Sequence, residues 1–200
     1  MSIAAAYLRV AELQQMLQPP PPPVPPASFT GTLQGAMATT MAPAAPVATV
    51  GAAPTGVGQA ILNAVTPEVG VAEQPPGSND SPRIAQYRQA TAGSGVGPWC
   101  AYFVSWAARQ AGAPIGDAGQ GYGLVDDVYA WAERTGKAIP AGQGAPQPGD
   151  LIVWDEHIGI VESVGADGSI RTIEGNSSDA VSRRSYGSDG GGAIGFVRLG

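Results

Sequence analysis

Thirteen of the chain's 19 prolines fall before residue 77, and residues 1–76 carry only four charges, Arg9, Glu12, Glu68 and Glu73. The remaining 124 residues hold 23 of the 29 glycines, all four tryptophans and the single histidine. A folded core needs large apolar side chains, and a chain rich in proline, alanine and threonine cannot bury enough surface to offset the entropy of ordering. The distribution therefore predicts one globular domain over 77–200 behind a low-complexity leader.

Within the leader, Ile3, Tyr7, Val10, Leu13 and Leu17 recur at helical spacing, which predicts a short amphipathic helix over 1–18. Two heptads are marginal in water, so this helix needs a partner to form fully. Seven prolines between positions 19 and 26 stop it and impose a stiff polyproline spacer of roughly 25 Å. From there to Pro76 the composition reads as a disordered linker, with one exception. Val57, Ile61, Ala64 and Val65 share the face of a possible three-turn helix. The leader reads either as a tail without a specific role or as a docking helix on a tether.

Several function classes are excluded early. The formal net charge is −6 and the ten basic residues are scattered, which leaves no basic stripe for nucleic acid. One cysteine and one histidine cannot assemble a disulfide framework or a Cys/His metal cluster, and no metal or other cofactor is expected. No window offers the 18 consecutive apolar residues of a membrane span. Nor does a basic region precede the first apolar stretch, so export would proceed without a recognisable signal peptide.

Residues 77–200 read as helices followed by strands. Ser81-Pro82 caps a short helix over 83–91. A second helix is expected over 98–112, with Gly97 as its cap and Pro98 as its first residue, and a third over 123–135. Apolar runs at 151–154, 158–164, 169–174, 181–186 and 194–199 are bounded by turn residues and read as strands. Helices first and antiparallel strands second define an α+β architecture with a sheet of about five or six strands.

Chemistry concentrates at three places. Cys100 falls in the first turn of the second helix, where free N–H groups and the helix dipole favour a thiolate, although a buried structural cysteine fits the same position. His157 opens a strand, either as a surface-loop residue or as the base that a cysteine nucleophile requires on a separate rigid element. Glu174 and Asn176 end the strand expected beside it; either could orient the imidazole, and either could be a plain turn residue.

Four ordered blocks, Pro98–Trp106, Pro148–Trp154, His157–Val161 and Thr172–Asn176, together with Asn79–Tyr87 upstream, resemble the CHAP domain of cysteine- and histidine-dependent amidohydrolases and peptidases. That resemblance implies a papain-like fold and a peptidoglycan hydrolase acting at the cell envelope or outside the cell. It would cut either the N-acetylmuramoyl–L-alanine link or a bond in the stem or cross-bridge peptide. Carried onto this chain, it makes Cys100 the nucleophile, His157 the general base, Glu174 the acidic orienting residue and Asn176 the amide that polarises the imidazole. Some members bind calcium through an aspartate-rich loop; here Gly77–Ser81 lacks such a pattern, and no calcium is expected. Trp99, beside the nucleophile, and Trp154 are the candidate substrate contacts. The leader is similar to those of some wall hydrolases associated with flagellar assembly, which implies a flagellar or envelope protein partner for its helix. Two further readings remain open: an envelope protein that binds the wall on this scaffold without cutting it, and a papain-like hydrolase of another substrate.

Overall fold

The computed structural model describes residues 54–200. The helix expected over 1–18, and the linker as far as residue 53, lie outside the described residues. Among the described residues four α-helices, α1 (Gly56–Val65), α2 (Pro82–Arg88), α3 (Cys100–Gln110) and α4 (Val125–Arg134), precede six strands. These are β1 (Ala138–Pro140), β2 (Leu151–Val153), β3 (Ile158–Val164), β4 (Ile170–Glu174), β5 (Ser182–Tyr186) and β6 (Gly195–Val197). They form one sheet in the order β1-β6-β2-β3-β4-β5, with every neighbouring pair antiparallel. The α+β architecture and the strand number agree with the sequence reading. Strand β1 was not foreseen as an element: three residues are too few to display a period, and Pro140 fits only because the strand is at the sheet's edge.

The linker expectation needs correction over its last part. From Thr55 onward the chain belongs to the folded body, so the domain does not begin at residue 77. Thr55 caps α1 by accepting the Gly58 N–H at 2.9 Å. Ile61 and Val65 of that helix are wholly buried in the same core as α3. Beyond α1, Gly70, Val71 and Glu73 make backbone hydrogen bonds with residues 179–181, the segment that leads into β5. Both late charges of the expected linker are consumed internally. Glu68 accepts from Arg83 and from the Tyr87 hydroxyl, and Glu73 accepts from the Trp99 indole. Composition counts these residues as low-complexity, but four apolar residues on one helix face suffice to dock it.

The main core is between the helices and one face of the sheet, where Leu151, Val153, Ile158, Ile160, Ile173 and Val197 meet α3 and its neighbours. Tyr87, Phe103 and Trp106 form its aromatic centre, with ring centroids 5.0–6.1 Å apart. The opposite face carries a smaller cluster of Ile152, Val161, Ile170 and Phe196, with Trp154 packed against it. Both faces of β2 are therefore apolar, which explains the unbroken Leu151–Val153 run. Among the described residues no helix is long and apolar enough to cross a membrane.

Candidate active site

Helix α3 starts two residues later than the sequence suggested. Trp99 is its cap and Cys100 its first residue, so the thiol is at the very opening of the helix. The first backbone N–H groups of a helix have no partner within it, and they surround this sulfur with positive potential. Cys100 is 5% exposed and forms part of a groove of about 420 Å³. Pro98, Tyr102, Leu124 and Val125 give that groove an apolar lining, while Asp126, Asp155 and Glu156 supply its carboxylates. Leu124, 66% exposed, stands uncovered at its edge.

His157 is delivered by a tight hairpin. The Trp154 N–H donates to the His157 carbonyl at 2.8 Å, leaving Asp155 and Glu156 as a two-residue turn between β2 and β3. The Trp154 and His157 rings, directly opposite each other, stack with centroids 5.6 Å apart and planes 29° from parallel. On β4, which pairs with β3, Glu174 is 1% exposed. Its Oε2 is 2.9 Å from His157 Nε2, while Oε1 accepts from the Thr172 hydroxyl at 2.5 Å and the Tyr186 hydroxyl at 2.9 Å. A carboxylate so buried would be costly unpaired, and these three donors satisfy it.

Two glycines make the geometry possible. A Cβ at Gly159 would come within 2.6 Å of Glu174 Cγ, so the glutamate stem crosses the neighbouring strand only because position 159 has no side chain. A Cβ at Gly175 would be 2.6 Å from Phe103 Cβ, so glycine there lets the end of β4 close onto α3, the helix that carries Cys100.

The electrostatics follow from these contacts. Burial alone would lower the His157 pKa, but hydrogen bonding and charge from Cys100 and Glu174 outweigh it and push the imidazole up to about 9. Burial works to raise the Glu174 pKa, yet its bonds from His157, Thr172 and Tyr186 hold the carboxyl below the usual glutamate value. With Nε2 engaged by Glu174, Nδ1 is the nitrogen left to serve the thiol.

Glu174 is hydrogen-bonded to His157, and Cys100 is close enough to act on the same imidazole. Asn176 does not join them by a side-chain hydrogen bond among the described contacts; with φ 56° it takes the left-handed conformation of the turn after β4, which asparagine tolerates. Trp99 is not a substrate contact: it is wholly buried, stacks on Tyr87 and donates to Glu73 at 2.9 Å. A helix cap beside a core helix turns its side chain inward, which proximity in sequence to Cys100 could not reveal. Trp154 touches the imidazole and donates to the Gly190 carbonyl, and the groove's lining includes neither tryptophan. Sequence reasoning missed Thr172 and Tyr186. Thr172 was within reach, since residues two apart on a strand share a face with Glu174; Tyr186 depends on the β4–β5 register.

The family model of the CHAP domain matches residues 91–176, a stretch that contains Cys100, His157, Glu174 and Asn176. Residues 91–176 thus match the CHAP domain, a family of hydrolases of the peptidoglycan amidase and peptidase type. No curated protein and no solved structure matches the chain.

Proposed function

We propose that this chain is a peptidoglycan hydrolase that cuts an amide bond through a covalent thioester on Cys100. The observation that carries this reading is a helix-opening thiol at the wall of a groove, beside an imidazole that it influences and that a buried glutamate holds. The Cys100 proton passes to His157 Nδ1, and the sulfur attacks the amide carbonyl. The tetrahedral oxyanion is held by backbone N–H groups at the start of α3, the Cys100 N–H first among them. An imidazole with a pKa of about 9 keeps that proton at neutral pH and then donates it to the leaving amine. Water, deprotonated by the neutral imidazole, hydrolyses the thioester and restores the thiol.

Glu174 holds the Nε2 tautomer and offsets the imidazolium charge, while Asn176 shapes the turn behind it. The bond cut is the N-acetylmuramoyl–L-alanine amide or one within the stem or cross-bridge peptide, and the site of action is the cell envelope or beyond. The full chain and its Cys100→Ala variant, incubated with insoluble peptidoglycan, test this by mass spectrometry of the released products. New amino groups that require Cys100 are expected, and fragment masses name the bond. Equal binding of both proteins without release overturns the proposal in favour of a non-cutting wall-binding protein.

A further inference from the structure

We infer that Tyr186 is a positioning residue for His157, gripping the imidazole by two routes at once. The first is a hydrogen-bond route: the Tyr186 hydroxyl donates to Glu174 Oε1 at 2.9 Å, and Glu174 Oε2 is 2.9 Å from His157 Nε2. The second is an aromatic route: the Tyr186 ring packs on Trp154 with centroids 5.1 Å apart and planes tilted by 47°, and Trp154 stacks on His157 at 5.6 Å. The four side chains close a ring in space, contributed by the β2–β3 hairpin, β4 and β5.

The two routes constrain different motions. A bond at Nε2 pins one point of the imidazole but leaves its plane free to turn about that point. Stacking on Trp154 fixes the plane. With both restrained, Nδ1 can point in only one direction. Tyr186 is suited to the joint because it ends the edge strand β5, whose three middle residues are exposed while Tyr186 itself is half-buried. Burial and the bond to Glu174 hold its phenol proton well beyond the ordinary tyrosine range, so it remains a donor throughout the working pH. The ionisable groups around His157 are Cys100 from α3, Glu174 from β4, and Asp155 and Glu156 in its own hairpin turn. Only Glu174 is tied to Tyr186.

The role in catalysis rests on the function proposed above; the role in holding the imidazole does not. The chain has one histidine, so an untagged preparation of the full protein gives a single imidazole titration by NMR. Tyr186→Phe keeps the ring and removes the hydroxyl; Tyr186→Leu removes both. The expected result is a lowered His157 midpoint in the Phe variant and a lower one in the Leu variant. On wall substrate, kcat should fall about 10-fold and about 100-fold, respectively, with KM little changed. A Tm that falls while the midpoint stays put overturns the inference, because the tyrosine is then merely structural. A midpoint that rises in Tyr186→Phe also overturns it, since the hydroxyl then only weakens the Glu174 charge. Should Tyr186→Leu fail to fold, the Thr172→Val/Tyr186→Phe pair strips both donors from Oε1 and must lower the midpoint further than Tyr186→Phe alone. If the wild-type chain releases nothing from the wall, the enzymatic reading fails, and the titrations still decide the fate of Tyr186.

Discussion

Gly159→Ala adds a single methyl group, and its consequence can be worked from distances. The new Cβ would be 2.6 Å from Glu174 Cγ and 3.4 Å from its Cδ. Carbon atoms pack at about 3.5–4.0 Å, so the glutamate must retreat by about 1 Å. It has little freedom to do so, because Thr172 and Tyr186 tether Oε1 and Ile152 is the residue paired with position 159. Retreat stretches the 2.9 Å contact with His157 out of hydrogen-bonding range. Overpacking of this kind costs about 2 kcal/mol, a Tm loss of roughly 4–8 °C in a domain of this size. Misplacing the imidazole should cost activity on the order of 10²-fold. The assay is release of amino groups from insoluble peptidoglycan alongside thermal unfolding. In a Glu174→Ala background the same substitution should cost almost nothing more, because both changes act through one contact. Activity within twofold of wild type, or full additivity of the two losses, would refute the reasoning.

Other expectations follow from the same contacts. His157 has a folded pKa of about 9 against 6.5 when unperturbed, so its stabilising contribution is complete below about 6.5 and lost as pH rises through 9; kcat/KM should show an alkaline limb there. Glu174, held low, contributes above its unfolded value and loses that contribution in acid; Glu174→Gln should draw the alkaline limb down and reduce kcat by about 100-fold. Trp99→Phe strips a donor from the buried Glu73, which should cost about 1–3 kcal/mol in denaturant melts yet leave wall binding and hydrolysis unchanged. Ile61→Ala should cost about 2–5 kcal/mol, and a chain cut to residues 77–200 should melt well below the intact protein; equal melting of the two would show that α1 is dispensable.

Local signals were strong where one element carries the whole message. Ser81-Pro82 names a helix start by itself, and Ser81 Oγ does accept the Ile84 N–H at 3.3 Å. The run Leu151–Val153 and the loop punctuation around it name a strand and its turns without reference to the rest of the chain. Cys100 and His157 stood out because each is the only residue of its kind, and the blocks around them carry the family likeness. Where composition was averaged over a long stretch, it misled: the spacing of Val57, Ile61 and Val65 marks a helix face, yet composition assigns it to the linker, and the face docks in the core.

The sequence alone determined the α+β class and the order of helices and strands apart from β1, and it singled out the thiol and the imidazole, because helix caps, turns and residue chemistry are properties of short segments. Tertiary structure decided the rest. It chose Glu174 over Asn176 as the partner of His157, since that choice depends on which strand side chain crosses the gap left by Gly159. It sent Trp99 into the core and brought Tyr186 to the site through the register of β4 against β5. Register and packing are set by contacts between residues far apart in the chain, and no single segment contains that information.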